Sequence, residues 1–347
     1  MNAMDIGIDL GTATVIIYDT NEGVLLDEPS VVAIETRTGE VKAVGADAYR
    51  MIGKTPANIT AIRPLQEGVI SDYKVTEAMI KYFLHKVCHN KVFKPRMAIC
   101  VPTGITPVEV QAVEEAAQVA GARKVYLIEE PVAAAIGAGI DISKPEGHLV
   151  VDIGGGTTDI AVLSLNGIVC KSSLKVAGNV FDQAIVKYVR SKYGVLIGER
   201  MAERMKMEIG SADPLDPNKS AECKGRNLLT GLPCKLVLTS GEIQEALAEP
   251  VAQILQEVKK VMELTPPELV SDLYTNGAVL TGGGAMLDGL DRVLSKAIKA
   301  PAYVAEEPEL CVAKGTGRSF QFLNELFDGF VDPNRTNYQE QAAQQKE

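Results

Sequence analysis

The sequence predicts an α/β protein made of two duplicated α/β halves, and three observations lead to this prediction. Strand-like and helix-like segments alternate along the 347 residues, which is typical of an α/β fold. A short motif that begins at Asp9 returns at Asp152, and each copy follows an apolar strand. A chain of this length can form about two domains, each with its own buried core.

The repeated motif is an Asp-x-Gly turn between two strands. In the first copy, Ile6–Leu10 alternates apolar and other residues, and a β-rich run resumes at Val15, which predicts a hairpin. The second copy, Asp152–Ile160, predicts the same arrangement. A third glycine cluster, Thr281–Gly284, follows another apolar strand and precedes a helix. Two similar hairpins suggest two halves that face each other.

Three helices have clear sequence signatures. One carries apolar residues at helical spacing, which predicts a buried face; these are Val75, Met79, Ile80, Phe83, Leu84 and Val87. A second begins where Thr106, Pro107 and Glu109 form a capping box, and it should end near Gly121. A third runs from Ser240 to about Leu264, and its internal Pro250 predicts a kink or a break.

Composition excludes several classes of protein. Hydrophobic residues make up 46% of the chain, too many for a disordered protein. The 35 basic and 45 acidic residues give a net charge of −10, which argues against a nucleic-acid partner. The chain has no apolar run of the ~18 residues that a membrane-spanning helix needs, and its start resembles no leader peptide. Its six cysteines form no CxxC pair, so we expect a cytoplasmic protein with reduced thiols.

The glycine turns suit phosphate binding, because their backbone N–H groups are exposed and no Cβ obstructs a close approach. Hydroxyls at the same turns add donors; they are Thr12, Thr14, Thr157 and Thr158. A carboxylate beside a phosphate requires a cation, so Asp9 and Asp152 are candidates to hold Mg²⁺ through its waters. One such turn alone is an ordinary tight turn. Two matched copies and the third glycine cluster favour a polyphosphate site.

Two other places carry candidate polar side chains. Glu130 begins a helix rich in small residues, where it could orient or deprotonate a water; interaction with the helix dipole explains it equally well. Glu203 and Lys206 are three residues apart on a predicted helix and share a face. They could bind a ribose and an adenine edge, although a solvated ion pair is the more common arrangement.

The three motifs resemble the phosphate-1, phosphate-2 and adenosine motifs of the superfamily of actins, sugar kinases and heat-shock-chaperone ATPases. Within it, longer strings resemble the MreB/Mbl family of bacterial actins over about residues 4–327. Those strings are Glu28–Ala33, Arg63–Ile70, Glu129–Pro131, Met207–Ala212, Thr230–Pro233 and Thr265–Leu269.

The resemblance implies an actin-like ATPase fold around a nucleotide cleft that binds ATP or ADP with Mg²⁺ near Asp9 and Asp152. The implied phosphate contacts are Thr12, Ala13, Thr14, Gly155, Gly156 and Thr157. The implied nucleoside contacts are Glu203, Arg204, Met205, Lys206, Gly282, Gly283, Gly284 and Ala285. Glu130 and Thr157 match the residues that position the attacking water. Thr14 and Asn179 depart from the usual Asn and Asp of the family, which leaves their roles open.

The resemblance also implies a division of the chain. The implied parts are domain I at residues 1–141, its small subdomain at about 33–66, domain II at 142–332 and its small subdomain at about 180–240. A helix over about 315–330 should return to domain I. The tail at 333–347 is polar and lacks apolar periodicity, which predicts disorder.

The implied function is that of a slow ATPase that polymerises into membrane-associated filaments and directs wall synthesis and rod shape. Its partners would be further copies of itself, the anionic inner face of the plasma membrane and the wall-elongation machinery, with no nucleic acid. The alternatives are a small-molecule kinase, which needs an Asp base over a substrate cleft, and a chaperone ATPase, which needs a long substrate-binding domain. Filament geometry and hydrolysis rate stay open, as does the choice between MreB and a paralogue.

One segment is a candidate for membrane contact. Between Lys81 and Arg96 the chain has five basic residues and no acidic one, and Val92 and Phe93 lie in a predicted loop. Basic residues near an anionic leaflet contribute ~1 kcal/mol each, and an inserted Phe adds apolar burial. A solvated loop with a core Phe is the alternative. The resemblance favours insertion, because the family inserts a hydrophobic loop at this position.

Overall fold

The structure is a computed structural model, and it describes residues 4–88, 94–213, 219–322 and 330–331. The membrane candidates Val92 and Phe93 and the predicted tail at 333–347 lie outside these ranges. None of the described helices is long and apolar enough to cross a membrane.

The strands and helices alternate as predicted. The strands are β1 Asp5–Leu10, β2 Thr14–Asp19, β3 Gly23–Pro29, β4 Val32–Glu35, β5 Val41–Val44, β6 Ile59–Ile62, β7 Leu65–Gln66, β8 Val69–Ile70, β9 Arg96–Val101, β10 Lys124–Glu129, β11 His148–Ile153, β12 Thr158–Ser164, β13 Gly167–Leu174, β14 Val195–Leu196, β15 Ser220–Asn227, β16 Pro233–Thr239, β17 Ala278–Thr281, β18 Ala302–Val304 and β19 Phe330–Val331. The α-helices are α1 Ala46–Met51, α2 Tyr73–Cys88, α3 Pro107–Ala120, α4 Glu130–Gly137, α5 Gly178–Tyr193, α6 Glu199–Ile209, α7 Ser240–Leu264, α8 Pro267–Asn276, α9 Leu290–Ile298 and α10 Cys311–Arg318.

Two large sheets share a five-stranded topology, and the first has β19 as an additional antiparallel edge strand. Their strand orders are β19-β10-β9-β1-β2-β3 and β13-β12-β11-β17-β18. In each sheet three consecutive strands form an antiparallel meander. The first strand of each meander then pairs in parallel with a later strand, β9 or β17, which pairs in parallel with β10 or β18. This match confirms the predicted α/β class and the duplication.

The helix predictions can be compared directly with the structure. Helix α2 buries Val75, Met79, Ile80, Phe83 and Leu84, as its spacing predicts. Helix α3 has the predicted capping box and ends at a left-handed glycine. Helix α7 continues without interruption through its internal proline, so the predicted break is absent. That proline is buried and its apolar neighbours pack into the core, which holds the segment helical.

Two smaller three-stranded sheets accompany the large ones. Strands β5-β4-β6 form one, and β14-β15-β16 form the other. They fall within the ranges predicted for the two small subdomains, while the domain boundaries themselves stay a prediction.

The helix predicted over about 315–330 differs from the structure, because α10 already begins at Cys311 and gives way to a 3₁₀ turn after Arg318. Pro308 starts a preceding 3₁₀ turn that leads directly into it.

Glycines let helix α10 pack against α4 and β1 with backbone in contact with backbone. A Cβ added to Gly315 would lie 1.7 Å from the carbonyl oxygen of Ala133, and one on Gly137 would lie 1.8 Å from that of Cys311. A Cβ on Gly7 would lie 2.2 Å from the amide nitrogen of Gly317. Helix α10 therefore joins the strand that carries Asp9 to the helix that begins with Glu130.

This contact predicts that Gly315→Ala destabilises the protein, because a methyl group cannot fit against the carbonyl of Ala133. We expect a loss of about 3 kcal/mol in the free energy of unfolding, the upper range for overpacking. The control is Gly241→Ala in α7, where an added Cβ meets no atom within 4 Å and should stabilise the helix slightly. Thermal unfolding measures both variants, and equal midpoints would contradict the prediction.

Candidate functional site

The structure brings the three glycine motifs together. A Cβ on Gly155 would lie 2.5 Å from the Cβ of Ala13, and one on Gly156 would lie 2.5 Å from the Oγ1 of Thr12, so the two hairpin turns face each other. The third motif joins them because Gly282, at φ +79°, packs against the backbone of Ile153. Only glycine allows backbones to approach this closely.

Hydroxyls at these turns are partly engaged in holding the loops. The Thr12 hydroxyl accepts a hydrogen bond from the amide of Gly68 at 3.1 Å, and this side chain is buried. Thr157 is also buried, and its carbonyl accepts from the amide of Gly154 at 2.9 Å, which closes the second turn. Thr14 is exposed at the start of β2. The backbone amide of Asn179 donates to the carbonyl of Gly155 at 2.8 Å. The role of the Asn179 side chain stays open.

The two candidate magnesium residues have closely matched surroundings. The thiol of Cys100 donates to Asp9 Oδ1 at 3.3 Å, and the hydroxyl of Thr281 donates to Asp152 Oδ1 at 2.7 Å. Burial raises the pKa of Asp9 to about 6. Burial, together with the charge of Asp9, raises the pKa of Asp152 to about 8. Both carboxylates are therefore costly to ionise without a positive charge nearby.

Two more carboxylates lie beside this pair. Burial, with the charges of Asp159, Asp152 and Asp9, raises the pKa of Glu130 well above its usual range. Burial also raises the pKa of Asp159, although its Oδ1 accepts from the amide of Thr103 at 2.8 Å. Asp159 lies directly opposite Asp152 in the β11–β12 register and is in hydrogen-bond contact with Glu130.

Asp159, Cys100 and Thr103 were not identified as site residues from the sequence. A sequence signal exists for Asp159, because it is a charged residue within the mostly apolar strand Thr158–Ser164. All residues of this strand, including Asp159, are buried. No comparable signal marks Cys100 or Thr103, since their roles depend on strand pairing.

The residues present fit a hydrated Mg²⁺ ion. None of the ion pairs among the described residues involves Asp9, Asp152, Asp159 or Glu130, so their charge is not balanced by a lysine or arginine. In the described part of the chain, no three His, Cys, Asp or Glu side chains converge closely enough to bind a metal directly. Mg²⁺ keeps several of its waters and needs only one or two carboxylates. A site without three converging protein ligands is therefore compatible with a hydrated Mg²⁺ ion.

The predicted nucleoside residues on α6 separate into two faces. Glu203 accepts a hydrogen bond from the hydroxyl of Tyr49 on α1, and Lys206 donates to the carbonyl of Gly178 at 3.1 Å. Arg204 instead is exposed and donates to the carbonyl of Glu222. Met205 is fully buried in the core, so its side chain does not face solvent.

The four predicted residues of the adenosine motif also differ in exposure. Gly283 is exposed and Gly284 is half-buried, whereas Gly282 and Ala285 are buried. The Tyr49–Glu203 contact joins α1 to α6. Arg200 lies over the ring of Tyr49, 4.7 Å from its centroid.

The basic segment between Lys81 and Arg96 is less positive in the structure than its sequence indicates. Acidic residues from elsewhere pair with three of its cations: Lys81 with Glu77, Lys86 with Glu28, and Arg96 with Asp5. The sequence of the segment does not reveal these partners, because two of them lie more than 50 residues away along the chain.

The fold and the facing hairpins define a protein of the actin-like class. Solved structures agree: MreB5 of Spiroplasma citri bound to AMPPNP has a TM-score of 0.89 and 37% identity, covering 93% of this chain and 97% of that one. A MamK double helical filament has a TM-score of 0.77 at 20% identity, covering 92% and 99%.

The chain belongs to the MreB/Mbl protein family, whose model matches residues 3–327. Cell shape-determining protein Mbl of Bacillus subtilis is 51% identical over 94% of this chain and 98% of its own length. Cell shape-determining protein MreB of Escherichia coli is 52% identical over 93% of this chain and 95% of its own length. The family expected from the sequence motifs is thus confirmed.

The raised pKa of Asp152 predicts how stability depends on pH without Mg²⁺ or nucleotide. Between pH 3.8 and about pH 8, Asp152 keeps its proton in the folded chain but releases it in the unfolded chain. The free energy of unfolding should therefore fall as pH rises in this window, by about 1.4 kcal/mol per unit from this group. Asp152→Asn should remove that part of the slope.

Thermal unfolding in EDTA between about pH 6 and about pH 8 measures this slope. Asp141→Asn is the control, since its exposed carboxyl has a lowered pKa and is ionised in both states over this range. A slope that is identical in wild type and Asp152→Asn would contradict the raised pKa.

Proposed function

We propose that this protein binds ATP and ADP with Mg²⁺ between the two hairpins, hydrolyses ATP slowly and assembles into membrane-associated filaments. In this proposal the filaments direct cell-wall synthesis and rod shape from the cytoplasmic face of the plasma membrane. The observation that carries it is the pair of facing Asp-x-Gly turns, with Glu130 and three aspartates between them.

Each part of the cleft has a role in this proposal. The turns at Thr12–Thr14 and Gly155–Thr157 would bind phosphates through backbone amides and hydroxyls. Lys206 and the half-buried Glu203 would contact the nucleoside, beside the glycines at 282–284. Mg²⁺, when bound, would neutralise negative charge on the phosphates and on the carboxylates of Asp9 and Asp152.

Glu130 would orient the attacking water together with Thr157. Burial and the neighbouring carboxylates raise the pKa of Glu130 well above its usual range, which favours the protonated form, and a protonated carboxyl cannot accept another proton from water. A cation near these carboxylates would lower their pKa and favour the basic form of Glu130. Asp159, whose pKa is also raised, lies beside Glu130. An equilibrium that disfavours the base is consistent with slow hydrolysis.

Two properties of known relatives support the proposal. The relatives with about half their residues identical are named for determining cell shape. Structures of MreB5 of Spiroplasma citri were solved with AMPPNP and with ADP. Both relationships cover more than nine-tenths of this chain. They favour the cell-shape role over the alternative of a small-molecule kinase.

Exposed apolar side chains provide surfaces for self-association. On and near the β15–β16 hairpin, Leu229 is 95% exposed, Met207 79% and Val237 65%. Another exposed apolar residue is Val108 on α3. In this proposal copies of this chain cover these side chains in the filament.

The assembly part of the proposal is tested by electron microscopy of the purified protein with ATP and phosphatidylglycerol vesicles. We expect filaments on the vesicles. Phe93→Glu should abolish pelleting with these vesicles while nucleotide binding persists, because a charged side chain cannot enter the apolar layer. Neutral phosphatidylcholine vesicles are the control. Unchanged pelleting of Phe93→Glu would reject the membrane role of this residue, and no polymer under any nucleotide condition would reject the assembly.

The hydrolytic part is tested by Glu130→Gln, which keeps the size of the side chain but removes its basicity. We expect phosphate release to fall by about 10²-fold or more, with ATP affinity changed little. The matched control is Glu129→Gln, because Glu129 is the adjacent residue but pairs with Lys171 at 2.8 Å. Phosphate release and binding of a fluorescent ATP analogue are the measurements. Equal losses in both variants would reject the role of Glu130.

A further inference from the structure

The internal duplication extends beyond the two hairpins to the residues behind them. Asp9 lies on β1, whose parallel neighbour β9 contains Cys100. Asp152 lies on β11, whose parallel neighbour β17 pairs Thr281 directly with it. In both halves the strand next to the aspartate therefore supplies one side-chain donor.

Each donor contacts one oxygen of its carboxylate. Cys100 Sγ donates to Asp9 Oδ1 at 3.3 Å, and Thr281 Oγ1 donates to Asp152 Oδ1 at 2.7 Å. Among the residues that the structure describes, no other side chain or amide donates to either carboxylate. One oxygen of each carboxylate is thus held by a donor from the neighbouring strand.

Both donors are buried at positions where apolar residues would otherwise be expected. Cys100 is 3% exposed and Thr281 is 0% exposed. Thr281 ends the buried strand Ala278–Thr281, whose other members are all apolar. A buried hydroxyl stabilises a fold little more than an apolar group of the same shape, so a polar residue here points to the carboxylate that it holds.

We propose that Cys100 and Thr281 are a matched pair of positioning residues, which fix the carboxylates of Asp9 and Asp152 for one hydrated Mg²⁺ ion. This inference rests on the proposed function, because it requires the cation to bind there. Partners that hydrogen-bond to metal-binding side chains orient them and commonly change metal affinity by about 10–100-fold. A thiol is a weaker donor than a hydroxyl, so Thr281 has the larger effect.

The test measures how Mg²⁺ promotes binding of a fluorescent ATP analogue. Thr281→Val removes the hydroxyl but keeps the branched shape, and Cys100→Ala removes the thiol. We expect Thr281→Val to raise the Mg²⁺ concentration at half-maximal effect by about tenfold, and Cys100→Ala to raise it by less. Affinity for the analogue in EDTA should be unchanged in both. Thr281→Ser restores a donor and should behave as wild type, with thermal unfolding as a check on folding.

The possible results separate this inference from the proposed function. If wild-type binding shows no dependence on Mg²⁺, the proposed cation site itself is wrong. If wild type depends on Mg²⁺ but neither Thr281→Val nor Cys100→Ala shifts the dependence, the proposed function stands and the positioning role is rejected. The role is also rejected if Thr281→Ser loses as much as Thr281→Val, or if the variants lose affinity equally in EDTA.

Discussion

Repulsion among four neighbouring carboxylates, of which Asp152 and Asp159 are buried and Asp9 and Glu130 half-buried, is the constraint on which the candidate site depends. Asp9, Asp152, Asp159 and Glu130 reach it from β1, β11, β12 and α4, and burial raises the pKa of each. Asp152 and Asp159 lie directly opposite each other across one hairpin, where two like charges would destabilise the sheet. Such groups remain buried only with protons, donors or a cation. The donors present satisfy single oxygens and do not balance the charge, and a divalent cation would do so.

A rigid scaffold holds these carboxylates at fixed separations. Helix α10 packs backbone against backbone on β1 and α4, through Gly317 against Gly7 and through Gly315 against Ala133. Because β1 carries Asp9 and α4 begins with Glu130, one helix near the C-terminus sets the position of a candidate metal residue relative to the candidate base. Packing of this kind cannot adjust to added atoms, so carboxylate geometry and fold stability depend on the same glycines.

What could be predicted from the sequence was local. The glycine turns, the capping box of α3 and the buried face of α2 depend on residues within a few positions of one another, and all appear as expected. The bond from Cys100 to Asp9 depends on parallel pairing of strands 91 residues apart. The pairing of Lys86 with Glu28 likewise spans 58 residues, which is why the segment appeared more basic in sequence than in space. Long-range register leaves no local signal.

The duplicated halves have diverged at positions that matter to chemistry. In the first hairpin the residue opposite Asp9 is Ile16, which is buried and apolar; in the second, the residue opposite Asp152 is Asp159. The first hairpin therefore contributes one carboxylate and the second contributes two, while Glu130 comes from α4 in the first half of the chain. In the proposed function the additional carboxylate, Asp159, lies beside Glu130, so the second half would influence the proton of a base that the first half supplies. In the proposed function the duplicated hairpins would hold phosphates from both sides, and this single asymmetry would supply a second carboxylate next to the base from one side only.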